Sequence, residues 1–167
     1  MADESTTERK RKMIVNCAPP NHGKSTALQA VWIKLCNCAE NFHFLKMDTK
    51  GLDAICVFQY RGIVIGLCSK GDNLSDVKKA YVDICDFLES SEAFIPLITR
   101  NVEKKKPDIF ITACHIKSNF DKKMKDIIDV GKYDVSYEKN NYQETKPELK
   151  IYRARQFANK IMKMIKD

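Results

Sequence analysis

The sequence contains no apolar run near the ~18 residues that a membrane-spanning helix needs, which excludes an integral helical membrane protein. It is also poor in glycine and proline, with six and five, which excludes collagen-like and linker-dominated chains. Beside Cys36 and Cys38 there is no second cysteine pair at metal-ligand spacing, so no zinc site is expected. Residues Met1 to Met13 lack the apolar core of a secretory signal. The seven cysteines, an odd number, are therefore expected as free and mostly buried thiols of a cytoplasmic protein.

What is present suits a soluble globular chain, with 44% hydrophobic and 31% charged residues. A chain of 167 residues buries roughly 70% of its unfolded surface and needs neither disulfide nor metal to hold a core. Lysine and arginine outnumber aspartate and glutamate by 29 to 22, a net charge of +7. That balance favours anionic partners: nucleotides, nucleic acid or an acidic protein. The lysines are spread along the chain, so a solvated surface accounts for most of them and nucleic acid is not the favoured partner.

Residues 1–12 show charge without apolar periodicity and read as a flexible basic tail; residues 13–167 read as one domain. Met13 to Cys17 is a short apolar run followed by the turn residues 18–23, the pattern of a buried strand. Leu28, Val31, Trp32 and Leu35 then fall on one helical face. Asn41 to Asp53 has no clear period and is read as a loop. Ala54–Tyr60 and Ile63–Ser69, separated by Arg61-Gly62, predict an antiparallel hairpin. Ser75 predicts the N-cap of a helix over 76–89, and Asp108 to Cys114 predicts another buried strand. A helix over 120–129, a strand over 133–137 and a polar loop over 140–148 follow. A final helix over 149–166 has Ile151, Ala154, Phe157, Ala158, Ile161 and Ile165 on its inner face. The expected fold is α/β: a three-layer α/β/α sandwich with a mostly parallel five-stranded sheet containing one antiparallel hairpin strand.

The stretch that carries chemistry is Ala18-Pro19-Pro20-Asn21-His22-Gly23-Lys24-Ser25. A loop between a buried strand and a helix can turn its N–H groups onto a phosphate, and the helix N-terminus adds a positive end. Gly23 permits close backbone approach, Lys24 supplies a point charge for the β- and γ-phosphates, and Ser25 offers a hydroxyl to Mg²⁺. Pro19 and Pro20 stiffen the loop while removing two donors. Asn21, His22 and Thr26 complete the candidate phosphate contacts.

These residues match the last three positions of the Walker A pattern G-x-x-x-x-G-K-[ST], with Ala18 at the first glycine position. On this evidence the chain resembles the P-loop NTPase superfamily, with a layout most like the small GTPase-like branch. The resemblance implies a nucleoside triphosphate, ATP or GTP, bound with Mg²⁺. In that branch a D-x-x-G motif follows the second hairpin strand. Here Gly71 matches its glycine while Cys68 stands at the acidic position, and a thiol cannot hold Mg²⁺ through a water. Asp72 is then the candidate for the missing carboxylate, as a Mg²⁺ contact or a water-positioning group, and a turn residue otherwise. Asp48 and Thr49 lie where a first switch would complete the Mg²⁺ shell. The base-recognition motif N-K-x-D has no counterpart, so guanine specificity is not supported and ATP is somewhat favoured. His115 and Lys117 lie at the end of a central strand, where ligands of open α/β sheets gather.

Three functions remain open at this point. The first is a slow Mg²⁺-dependent NTP hydrolase or nucleotide switch, with Lys24 and Asp72 as its catalytic groups. Arg61 and Arg100 are not obviously placed as arginine fingers, so activation by a protein partner or by self-association fits. The second is a small kinase acting on a nucleotide or metabolite, with Arg153 and Arg155 as the remnant of a lid. The third is a non-catalytic module that binds a protein or nucleic-acid partner. Thiol catalysis through Cys17 or Cys68 would require His22 or His115 within hydrogen-bond reach.

Overall fold

The structure, a computed structural model, describes residues 10–18, 24–48, 53–70, 73–98, 105–139 and 146–166; the side chains of residues 24, 25 and 147 also lie outside the description. The chain runs β1 (Arg11–Cys17), α1 (Lys24–Cys38), β2 (Asn41–Met47), β3 (Ala54–Tyr60), β4 (Ile63–Cys68), α2 (Leu74–Ser90), β5 (Ile109–Cys114), α3 (Lys117–Gly131), β6 (Tyr133–Lys139) and α4 (Pro147–Lys166). The fold is α/β, as the alternation of apolar runs and amphipathic stretches predicts.

The six strands form one sheet in the order β2-β3-β4-β5-β1-β6. Neighbours β4, β5, β1 and β6 are parallel, and β3 runs against both β2 and β4. The hairpin turn is as expected: Arg61 at φ 54° and Gly62 at φ 78° give the positive-φ pair that matches strand twist. Every residue of β5 is buried, which is why its sequence is continuously apolar rather than alternating.

Two corrections concern β2 and the tail. The sheet has six strands rather than five, because Asn41–Met47 is a strand and not a loop. Phe44 packs toward α1 and Leu45 toward α2, so both faces carry apolar side chains and the period-2 signal vanishes. A bulge between Phe44 and Lys46 breaks the register further. In addition, β1 begins at Arg11, inside the predicted tail, and Arg11 is buried.

Two core clusters lie against the sheet. One joins α1 and α4 through Leu28, Val31, Leu35, Phe157 and Ile161 to Ile14, Phe58 and Ile111. The other joins α2 and α3 through Val77, Ile84, Leu88, Phe120 and Met124 to Val15, Val64 and Phe110. Asn73, not Ser75, caps α2; its side-chain oxygen accepts from the Ser75 amide at 2.9 Å. Helix α3 starts at Lys117, three residues before the predicted start. On α4 the predicted inner face holds except at Ile151, which is 49% exposed.

The amino edge of the sheet is locked by polar groups. Asp108, 4% exposed, accepts from the amides of Val64, Leu97 and Ile98 at 2.9, 2.9 and 2.8 Å. The Arg11 guanidinium donates to the carbonyls of Gly131, at 3.0 Å, and Ile98. The Tyr81 and Tyr133 hydroxyls are 3.0 Å apart, and Tyr133 donates onward to the Pro107 carbonyl at 3.0 Å. A Cβ at Gly131 would meet the Tyr133 ring at 2.4 Å, so only glycine lets this ring seat.

Candidate active site

Because β1, β4, β5 and β6 are parallel and each is followed by a helix, all four helices begin at the carboxyl edge of the sheet. Helix N-termini carry partial positive charge, so this edge is the one suited to an anion. The ends of β1 and β5 are tied together there. The Ala18 amide donates to the Cys114 carbonyl at 3.1 Å, and His115 Nδ1 lies 3.4 Å from the Ala18 carbonyl oxygen. His115 is thus placed beside the first residue of the Ala18–Ser25 segment.

Five residues separate Ala18 at the end of β1 from Lys24 at the start of α1. Asn21, His22 and Gly23 lie outside the described residues, as does Asp72; Lys24 and Ser25 are helical, with their side chains outside the description. Thr26 is half-buried and lines a groove toward α4. Thr49 and Arg100 also fall outside the described residues.

Sequence reasoning missed Asn16. It is fully buried, and among the described residues neither its Nδ2 nor its Oδ1 has a hydrogen-bond partner. Burying such a group unpaired costs about 1–3 kcal/mol. Asn16 pairs in register with Ala113 and Glu138, one residue before the end of β1. The missing signal was tertiary: one asparagine in an apolar run is ordinary until its surroundings are known. On the same edge Thr112 is fully buried; its hydroxyl interacts with the Cys68 thiol and makes no regular hydrogen bond.

A second part of the edge is a cavity of about 390 Å³ at the ends of β2 and β4 and the start of β3. Asp48, Asp53, Asp76, Lys46, Lys70 and Cys68 line it. Asp53 accepts from the Ser69 hydroxyl at 3.4 Å, and Lys70 pairs with Asp76 at 3.7 Å. Strand β5 stands between β1 and β4, so the nearest strand of this cavity, β4, is two strand spacings, roughly 10 Å, from β1, while β3 and β2, beside Asp53 and Asp48, are three and four spacings away. The carboxylates of Asp48 and Asp53 are hard oxygen donors of the kind Mg²⁺ takes. Among the described residues no cluster of three His, Cys, Asp or Glu side chains could hold a metal by itself.

Cys17 and Cys68 lie at strand ends on this edge. Burial pushes the Cys68 thiol up to about 11, with Asp53 and Asp76 adding to the shift, so it stays protonated at neutral pH. The Cys17 thiol faces the main-chain oxygen of His115 at 3.7 Å, while the His115 ring turns to Ala18.

No protein-family model, no curated protein and no solved structure matches this chain. No helix among the described residues is long and apolar enough to cross a membrane.

Proposed function

We propose that the chain binds a nucleoside triphosphate with Mg²⁺ at the carboxyl edge, on a three-layer α/β/α frame, and acts as a slow NTP hydrolase or nucleotide switch, with ATP ahead of GTP. The observation that carries this reading is the junction of β1 and α1. A buried parallel strand ends at Cys17, a helix begins at Lys24, and the intervening residues end in Gly23 ahead of Lys24 and Ser25.

Lys24 and the amides of residues 21–26 would offset phosphate charge. Ser25 and Asp72, with Asp48 or Asp53 from the cavity beyond β5, would hold Mg²⁺, which supplies charge neutralisation at the β- and γ-phosphates. His115 would fix the entrance of the loop through Ala18 and approach the phosphates or the base.

One observation favours a second reading, a non-catalytic nucleotide-dependent binder. The residue at the end of β4 is a buried thiol rather than a carboxylate, so any acidic group must come from outside the strand. No observation favours the kinase reading; Arg155 lines the groove between α1 and α4 instead of the cavity.

Calorimetric titration of ATP and GTP, each with and without Mg²⁺, into wild type and Lys24→Ala tests the proposal. Binding that needs Mg²⁺ and is weakened at least tenfold in Lys24→Ala is the expected result. Phosphate release then separates the hydrolase from the binder. No binding of either nucleotide to folded wild type would overturn both.

A further inference from the structure

Between α1 and α4 runs a groove of about 980 Å³. Its lining repeats with helical spacing on both walls: Thr26, Ala30, Ile33 and Asn37 on α1 face Ile151, Ala154, Ala158 and Met162 on α4. The α1 stripe alone is roughly 17 Å long, about three helical turns. Alanines at positions 30, 154 and 158 keep the floor low, while Ile33 and Ile151 are 44% and 49% exposed beside it.

The rim has one sign of charge. Lys34, Arg155, Lys163 and Lys166 line the groove, and no aspartate or glutamate among the described residues does. Lys34 reaches across to the Asn159 side-chain oxygen, a neutral acceptor, and forms no ion pair with a carboxylate among the described residues. No ion pair joins Arg155, Lys163 or Lys166 to a carboxylate among the described residues. The exposed Ile151 that breaks the expected inner face of α4 belongs to this surface.

We propose that this groove is the docking site for an acidic amphipathic helix of a partner protein. An apolar floor about three turns long between cationic rims is complementary to a helix with apolar residues at i, i+3/i+4 and i+7 and carboxylates on its flanks. A nucleic-acid strand fits it less well. Such strands are held by a cationic track with aromatic faces for stacking, and the one aromatic side chain lining the groove, Tyr60, is only 7% exposed. The proposal does not depend on nucleotide binding.

The test is selection from an unbiased library of displayed helical peptides against the full chain, followed by fluorescence anisotropy with the selected peptides. Three variants serve: Ile33→Ser with Ile151→Ser, Arg155→Glu with Lys163→Glu, and Val130→Ser on α3 as control. All the replaced side chains are exposed, so circular-dichroism melts should match wild type. The expected result is enrichment of peptides with acidic flanks, bound at least tenfold more weakly by both groove variants and unchanged by the control. Weakening of binding as salt rises should accompany it. No enrichment, enrichment of neutral or basic peptides, or binding indifferent to the groove variants would overturn the proposal. So would a labelled single- or double-stranded oligonucleotide that loses binding in Arg155→Glu with Lys163→Glu while no acidic peptide is enriched; the groove would then be a nucleic-acid surface.

Discussion

At the amino edge of the sheet, Asp108 gives its carboxylate to three main-chain amides; at the carboxyl edge, Asn16 gives its side-chain amide to none of the described residues. Both residues are buried, and both stand near the end of a central strand. Around Asp108 the polar groups are nearly all paired: the Arg11 guanidinium lacks a partner only at Nε, and the two tyrosine hydroxyls complete a chain to Pro107. The Asn16 amide has no partner among the described residues, and four helix N-termini face the same way. The contrast separates the two tasks of the molecule. One edge closes the fold, and the other is where the proposed function puts the ligand.

The largest effect expected from breaking this contrast is at Asp108. Asp108→Ala leaves three amides without their acceptor, and each buried amide so orphaned costs ~1–3 kcal/mol. A loss of about 3–5 kcal/mol in urea unfolding is expected, and a loss under ~1 kcal/mol would show that the edge is not locked by this residue. Gly131→Ala comes next. The new Cβ must displace the Tyr133 ring and disturb its bond to Pro107, for a loss of about 1–3 kcal/mol in the same assay.

At the carboxyl edge the sign reverses. Asn16→Leu replaces an unpaired amide by an apolar group of similar size and should raise stability by about 1 kcal/mol, or roughly 2–4 °C in Tm. The same change should weaken Mg²⁺–nucleotide binding, because the amide that the fold leaves idle would no longer serve the loop. A fall in both stability and binding would make Asn16 a structural residue and sink the contrast.

One effect is confined to alkali. Burial raises the Cys68 thiol in the folded state from near 9 to about 11. A raised acid contributes stability that is fully present below pH 9 and is lost as pH rises toward 11, where the unfolded thiol ionises and the folded one does not. Stability measured from pH 8 to 11 should therefore fall, and Cys68→Ala should make the decline shallower. An identical slope in the variant would remove Cys68 as a contributor.

Much of the fold was legible because its signals are local. The Arg61-Gly62 turn dictates a hairpin, the unbroken apolar run 109–114 dictates a strand buried on both faces, and the spacing of Leu28, Val31 and Leu35 dictates the core stripe of α1. Strand β2 was illegible because its two faces both carry apolar groups, with His43 stacked on Phe87 at 4.4 Å on one side and Phe44 against Trp32 at 5.6 Å on the other. Residues 73 and 75 are both competent caps, and only the backbone geometry selects Asn73. Of the candidate site, the segment 18–25 and the placement of His115 beside it could be read from strand ends alone. The insertion of β5 between β1 and β4, the cavity with Asp48 and Asp53, and the idle amide of Asn16 depend on strand order and burial, which no short stretch of sequence encodes.

The most direct measurement is amide hydrogen exchange of the wild-type chain with and without Mg²⁺–ATP, read separately at the two edges. The account predicts added protection in peptides covering residues 14–30 and 112–120, with those covering 91–98 and 105–110 unchanged. Equal exchange at both edges with saturating nucleotide, or protection confined to the amino edge, would contradict it.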